Sequence, residues 1–323
     1  MRAALLTNKG FTVRDTGIPE PGQGEIRVRS VSNGICEGDV FRYTSVKSGN
    51  ENPENGILLG HEGSGIVDAV GRNVEGISPG MRITALGGGY ADYFIAEASG
   101  IVPVPDTLPV ENALGEPIAC CVHAAERFGV RVGDRVAVIG AGFMGLMCMQ
   151  LTKLMGAAHT AVFDIIPWRL TAAKELGADV VYDAAHYKPS SEFNSNIVAK
   201  DLGEFDVVIE ATGVENAVTL ATDLVKQHGT LVLVGYHQSN DGMRSVNMKT
   251  WNFKAITIVN GHVRRREEKH QAMARSMALL ASKRITYGPL ITNYRFEDIG
   301  AAFNDLTSRK EGLFKANLVY SRN

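Results

Sequence analysis

Three things are scarce in this sequence: cysteine, charge of one sign, and long apolar runs. Cys36, Cys120, Cys121 and Cys148 are its only cysteines, too few to staple a disulfide scaffold, so reduced thiols are expected. Lys plus Arg number 33 against 35 Asp plus Glu, a net charge of -2. That balance sets up no positive field, which argues against nucleic acid or an anionic membrane as a partner. No uninterrupted apolar stretch reaches the roughly 18–20 residues that cross a bilayer. The opening "MRAALLTNKGFTVRD" turns polar after six residues, so no export leader is expected and a cytoplasmic location is.

What is present is a glycine-rich globular composition, with 35 Gly and 45% hydrophobic residues in 323. Single cores rarely grow past about 250–300 residues, so two domains are expected. In the first third, "MRAALLT", "EIRVRSVSNG", "GIVDAVG", "MRITAL" and "ADYFIAEA" are short alternating or β-branched segments split by Gly and Pro. That is the texture of a compact, mostly β domain. The polar stretch "TSVKSGNENPENG" reads as an exposed loop. Beyond residue 120 the chain alternates: "DRVAVIG", a helix from Phe143 to Met155, "HTAVFD", a helix over "PWRLTAAKELG", then "DVVYD". "FDVVIEATG", a helix over "ENAVTLATDLVKQHG", and "TLVLVGY" continue the series. Val- and Ile-rich strands alternating with amphipathic helices predict βαβ units and a parallel sheet. A helix over "KHQAMARSMALLASKR" reads as a core element, and "KANLVYS" as a closing strand that returns to the first domain. The expected division is 1–121 with a C-terminal return over 262–323, enclosing 122–261.

"VAVIGAGFMGLM" sets Gly140, Gly142 and Gly145 in the spacing G-x-G-x-x-G between a predicted strand and a predicted helix. In that context Gly140 makes a tight turn, Gly142 lets backbone approach a pyrophosphate, and Gly145 permits close helix–sheet packing. The helix start at Phe143 and Met144 offers amides that attract phosphate. Asp164 ends the next strand nineteen residues after Gly145, near the spacing of about 20 for an acid on the adenosine ribose. A carboxylate there repels a 2′-phosphate and favours NAD over NADP. Arg169 could pair with Asp164 or help to hold the ribose. The plain alternative is a strand–helix turn with Asp164 as a surface cap; motif and acid in order favour a dinucleotide.

A second constellation is spread along the first domain. "NGICEGDVFRY" offers Cys36 and Asp39, "LLGHEGSGIVDAVG" offers His61 and Glu62, and "LGEPIACCVHA" offers Glu116, Cys120, Cys121 and His123. A cysteine, a histidine and carboxylates suit zinc with mixed sulfur, nitrogen and oxygen ligands. Taken singly, each is as readily a core cysteine or a satisfied buried histidine. Together with "PGMRI", "GGYADYFIA", "RLTAAKELGAD" and "FDVVIEATG", these segments make the chain resemble the medium-chain zinc-dependent alcohol and polyol dehydrogenases over nearly its full length.

The resemblance implies an α/β protein with a GroES-like β-rich catalytic domain, a Rossmann doubly wound parallel-sheet domain, and a cleft between them. By the family pattern Cys36 and His61 are zinc ligands, Glu62 is a ligand or close neighbour, and Glu116 takes the third-ligand position of sorbitol- and threonine-dehydrogenase-like members. Asp39 resembles the acid that orients the ligand histidine, a general need of metal-bound imidazole. Thr212 and the segments "LVGYH" and "TIVNGH", with Val234, Tyr236, Val259 and Asn260, resemble those that bind the cofactor, though Asn260 and His262 read equally as hydrogen-bonding strand-end residues. A homodimer or homotetramer is expected, because the family forms both.

Some features depart from that pattern. The four-cysteine structural zinc lobe is missing between "MRITAL" and "GGGYADY", so one zinc per chain is expected. Gly38 stands where the family commonly has Ser or Thr to pass on the alcohol proton, and Phe41 stands where some members have a relay histidine. Glu62, Glu116 or a bound water remain as proton routes. Glu116 followed by Pro117 leans towards secondary alcohols or ketones of polyols and sugar derivatives. Tyr43, Tyr90 and Tyr93 could present hydroxyls to such a substrate or belong to the core. "VRRREEKH" reads as the solvated start of a helix. The competing functions are a zinc-free quinone or enoyl reductase of the same superfamily and a non-catalytic nicotinamide-binding protein.

Overall fold

The computed structural model of the chain describes residues 1–187 and 202–321. It divides into two compact units: Met1–Ala119 with Arg265–Asn323, and Cys120–Arg264. Among the described residues no helix is long and apolar enough to cross a membrane.

The first unit carries two sheets. β1 (Arg2–Thr7), β2 (Gly10–Asp15) and β4 (Ile57–Leu58) form a small sheet in the order β2-β1-β4. The larger sheet runs β15 (Ile291–Arg295), β16 (Lys315–Val319), β3 (Glu25–Gly34), β5 (Glu62–Val70), β6 (Arg82–Ala85), β8 (Ile101–Pro103), with β7 (Tyr93–Glu97) also paired to β3. β3 shows why these segments are strands. Ile26 and Val28 are fully buried, while Arg27 and Arg29 alternate with them on the other face, the period of a half-buried strand. Two cores result, one around Val28, Ile83 and Phe94, the other around Leu6, Tyr90, Phe303 and Leu318.

Helix α1 (Glu37–Lys47) follows β3 directly. Cys36 precedes it with extended backbone, and its carbonyl accepts from the amides of Asp39 (3.0 Å) and Val40 (3.1 Å). Glu37 and Asp39 in the first turn and Lys47 in the last suit the helix dipole. This corrects the reading of "TSVKSGNENPENG" as loop throughout: Thr44 to Lys47 complete α1, with Val46 buried. The helix is held by its inner face, Val40, Tyr43 and Val46, and its polar outer face hides the apolar period. α2 (Gly115–Ala125) runs across the division at Ala119 and Cys120, and α7 (Arg266–Ala281) and α8 (Ile299–Thr307) belong to the first unit.

The second unit is a six-stranded parallel sheet: β9 (Arg135–Ile139), β10 (His159–Asp164), β11 (Val180–Asp183), β12 (Phe205–Glu210), β13 (Val225–Leu233) and β14 (Thr257–Asn260). Their spatial order, β11-β10-β9-β12-β13-β14, is the doubly wound order 3-2-1-4-5-6 of dinucleotide-binding sheets. The central strands are near-continuous apolar runs because both faces are covered; Val136, Ala137 and Val138 are fully buried. Helices α3 (Phe143–Leu154), α4 (Pro167–Glu175), α5 (Glu215–Leu224) and α6 (Met248–Lys254) follow β9, β10, β12 and β13. The helix expected over "ENAVTLATDLVKQHG" ends at Leu224, and Val225 already opens β13. Val225 takes extended backbone and lies in the core with Leu224 and Phe205, so burial on the sheet ends the helix early.

Candidate metal centre and dinucleotide cradle

In the first unit, ligand atoms of Cys36, His61 and Glu62 all lie within 4.8 Å of one another. Three elements bring them there. Cys36 stands between β3 and α1, His61 immediately precedes β5, and Glu62 opens β5 opposite Gly34 of β3. Glu62 is 2% exposed, whereas the His61 side chain keeps 43%, so the group is closed on the carboxylate side and open on the imidazole side. Asp39, in the first turn of α1, has its Oδ2 3.7 Å from His61 Nδ1 and accepts a 2.6 Å hydrogen bond there from Tyr90 Oη.

Lys315, at the start of β16, completes the group, and sequence reasoning missed it. Its Nζ donates to the Ile35 carbonyl at 2.9 Å and to Glu62 Oε1 at 2.7 Å, and lies 2.6 Å from Glu62 Oε2. In sequence Lys315 is an ordinary charge on a strand, and only its burial marks it. Lys315 and Asn317 share one face of "KANLV" and both are buried, so that face holds polar partners. Burial opposes a charge on Lys315, but Glu62 and Cys36 outweigh it and its pKa stands above the ordinary value. Burial raises Glu62, and the Lys315 ammonium opposes that rise. Cys36 is pushed up to about 12, first by burial and next by the Glu62 charge.

Glu116, expected as the third ligand, lies outside this group. It sits in the first turn of α2, 5% exposed, and its Oε1 accepts from Lys269 Nζ of α7. An ammonium thus already faces that carboxylate. Tyr43 and Tyr90 are core residues: Tyr43 Oη donates to Asn304 Oδ1 at 2.8 Å, and the ring of Tyr90 packs on those of Phe11 and Phe303. Tyr93 is half-buried on β7 with the Arg27 guanidinium over its ring. Phe41 is 47% exposed and His123 is buried.

The donor set fits zinc. A thiol, an imidazole and a carboxylate converge within reach of one ion, and a cation is what turns the Cys36 thiol into a thiolate. Because binding would expel the Cys36 proton at any pH well below about 12, zinc affinity should tighten as pH rises. We expect about tenfold per pH unit from about pH 7 to about pH 9, measured by chelator competition. Removing Lys315 leaves Glu62 buried without its counter-charge. Lys315→Met should destabilise the metal-free chain by about 3–5 kcal/mol, read in urea unfolding with chelator present, and zinc should recover part of the loss.

The second unit gathers its predicted residues at the carboxyl ends of the strands, where doubly wound sheets bind ligands. Gly140 follows β9 with φ +100° and its amide donates to the Phe163 carbonyl at 2.7 Å. Gly142 is the residue before α3, with Phe143 and Met144 opening that helix. A Cβ at Gly145 would meet the Gly140 carbonyl oxygen at 1.8 Å, whereas one at Gly142 would have only Arg169 Nη1 within reach, at 3.9 Å. Asp164, 8% exposed at the end of β10, binds the loop together: its Oδ2 accepts from Ala141 N at 2.6 Å, its Oδ1 from Ile165 N at 2.7 Å and Ile166 N at 2.9 Å. Arg169 lays its guanidinium over the Trp168 ring.

A buried carboxylate not anticipated from sequence shapes the other side of the cradle. Glu210, fully buried at the end of β12, accepts on Oε1 from Thr212 N (2.7 Å), Gly213 N (2.9 Å) and Thr212 Oγ1. Its Oε2 lies 3.1 Å from His237 Nε2, and His237 Nδ1 accepts from Arg244 Nε at 3.0 Å. Val234 is buried, Tyr236 is 52% exposed, and Val259 pairs with Val232 across β14 and β13. Asn260 Oδ1 accepts from His262 N at 2.9 Å. The glycine geometry separates two variants. Gly142→Ala should fold normally and weaken dinucleotide binding on the order of tenfold, seen by fluorescence titration with reduced cofactor. Gly145→Ala forces backbone apart and should lower thermal stability by about 1–3 kcal/mol or more.

Comparison with known proteins places this geometry. The alcohol dehydrogenase GroES-like domain profile matches residues 22–106 and the zinc-binding dehydrogenase profile matches residues 144–279. The chain is 32% identical to sorbitol dehydrogenase of Gallus gallus, over 92% of this chain and 90% of that protein. It is 29% identical to the zinc-type alcohol dehydrogenase-like protein YdjJ of Escherichia coli (strain K12), over 99% of both. A crystal structure of a zinc-binding dehydrogenase from Sinorhizobium meliloti 1021 bound to NADP superposes with a TM-score of 0.84 at 25% identity, covering 99% of each chain.

Proposed function

Because this chain belongs to the medium-chain zinc-dependent alcohol and polyol dehydrogenases, we propose that it moves hydride between a nicotinamide dinucleotide and a polyol or sugar-derived secondary alcohol or its ketone. The observation that carries this reading is the convergence of Cys36, His61 and Glu62 in a chain that also carries the open glycine cradle at Gly142. When bound, zinc would supply Lewis acidity towards a substrate hydroxyl, and the nicotinamide would take up the hydride.

The chain's own residues do the rest. Cys36, His61 and Glu62 hold the ion, which leaves a position for substrate. Asp39 sets the imidazole of His61, and Lys315 keeps Glu62 aimed while balancing its charge. Gly38 brings no hydroxyl to the alcohol proton, and the exposed His61 side chain leaves the group open to water on that side. In the second unit the Gly142 backbone and the amides that open α3 bind the pyrophosphate. Asp164 supports NAD over NADP as the preferred partner, since its carboxylate at the end of β10 disfavours a 2′-phosphate. The polyol class is supported by the likeness to sorbitol dehydrogenases.

A homo-oligomer belongs to the same reading. It is supported by the edge of the parallel sheet, where Thr257, Ile258 and Asn260 of β14 are exposed and no strand among the described residues pairs beyond β14, an edge that another strand can extend. A cytoplasmic location belongs to the same reading and is supported by the use of a nicotinamide dinucleotide.

The deciding experiment combines metal analysis of the purified chain with a screen of polyols, sugar derivatives and amino alcohols, following nicotinamide absorbance. One zinc per chain, turnover of a secondary alcohol and its loss in Cys36→Ser with dinucleotide affinity retained are expected. Full turnover by Cys36→Ser, or activity indifferent to chelation, would replace this reading with the zinc-free reductase. Dinucleotide binding without turnover of any alcohol would leave a non-catalytic binding protein.

A further inference from the structure

We propose that Tyr90 is a positioning residue of the metal centre: its hydroxyl fixes the Asp39 carboxylate and, through it, the ring of His61. The inference rests on the reading that Cys36, His61 and Glu62 hold zinc. Tyr90 is fully buried and its Oη donates to Asp39 Oδ2 at 2.6 Å. The same oxygen faces His61 Nδ1 at 3.7 Å, an ion-pair separation a little beyond a hydrogen bond. One carboxylate oxygen therefore serves both the phenol and the imidazole. A carboxylate held on that oxygen by a strong donor cannot rotate away from the histidine without breaking a buried hydrogen bond.

The ring of Tyr90 acts on the same turn from a second direction. Gly60, the residue before His61, has φ +102°, and a Cβ there would lie 2.8 Å from Tyr90 Cδ1. The Tyr90 ring thus lies close against the backbone that delivers His61. Tyr90 N donates to the Leu59 carbonyl at 2.8 Å, and the Tyr90 carbonyl accepts from Ala4 N at 2.7 Å. Its neighbours in the "GGGY" turn extend the brace. The Gly87 carbonyl accepts from Gly63 N at 3.1 Å, and the Gly89 carbonyl accepts from Asn33 Nδ2 at 3.1 Å. Asn33 Oδ1 in turn accepts from Glu62 N at 3.3 Å. The short turn where the structural zinc lobe is missing from the sequence therefore braces the "HEG" corner through Leu59, Gly63 and the Asn33 link to Glu62, and its one side-chain hydroxyl reaches the acid that faces the histidine. A phenylalanine would fill the same aromatic core with Phe11 and Phe303 without burying a polar group, so packing alone does not account for the hydroxyl.

Tyr90→Phe removes the hydroxyl and keeps the ring. In the full-length chain, stripped and reloaded, chelator competition should show zinc bound about 10-fold more weakly than in the wild type. The cobalt-substituted protein should show altered ligand-field bands, because the His61 ring is no longer held in one orientation. The metal-free chain should lose only modest thermal stability, because the buried Asp39 carboxylate gives up one donor, and affinity for reduced dinucleotide should match the wild type. In an Asp39→Asn background, Tyr90→Phe should have no further effect on zinc affinity. Unchanged affinity and bands in Tyr90→Phe, or the same fold loss in both backgrounds, overturns the positioning role while the zinc reading stands. A wild-type chain that takes up no zinc overturns both.

Discussion

One buried ammonium organises the first unit. Lys315 ties β16 to the end of β3 through the Ile35 carbonyl and to the start of β5 through Glu62, joining segments 253 residues apart in sequence. The strands would pair without it, but the charge would not balance. Glu62 is almost wholly out of water beside the Cys36 sulfur, and a lone buried carboxylate costs several kcal/mol. Lys315 lets the unit fold with its donor group already in place. The protein therefore need not wait for a metal to gather Cys36, His61 and Glu62. A divalent ion would then enter a group already held in place and change its charge, rather than assemble it.

The same charge logic separates the two carboxylates read from sequence as ligands. Glu62 and Glu116 each face a lysine, Lys315 and Lys269 respectively. Only Glu62 shares its surroundings with both a thiol and an imidazole. Glu116 stands at the start of α2 against α7, so its carboxylate is positioned by a helix–helix contact and not by the β3–β5 corner. The pattern "LGEPIACC" identifies the residue but not which group claims it, because the claimant lies more than a hundred residues away.

Much of the fold was legible because it is periodic. The runs "RVAVI", "HTAVFD" and "FDVVIE" are strands where expected, and the alternation in "EIRVRSVSNG" gives β3. The division into two units lies at 119/120 and 264/265, close to the change in texture from β segments to βαβ units. The misreadings came where polarity disguised burial. Helix α1 buries Val40, Tyr43 and Val46, and Thr44, Ser45 and Lys47 surround the last of these, so its C-terminal turn looked like solvated loop. The end of α5 was overrun because "VKQHG" is polar, yet Val225 is locked into the sheet.

The two candidate sites differ in how they are written into sequence, and the difference is physical. The dinucleotide cradle is a backbone device: a carbonyl of Gly140 that excludes any side chain at Gly145, open space above Gly142, and amides pinned by Asp164. Backbone geometry depends on neighbours in the chain, so it leaves a fixed spacing of glycines that can be read directly. The metal centre is a side-chain device drawn from residues 36, 39, 61, 62, 90 and 315, brought together by strand pairing. Tertiary pairing imposes no short spacing, so only the adjacent His61 and Glu62 stand out as a motif. Its supporting members, Tyr90 and Lys315, read in sequence as an ordinary aromatic and an ordinary charge. What marks them is burial, and burial of a hydroxyl and an ammonium is a cost that the site's own polar partners offset.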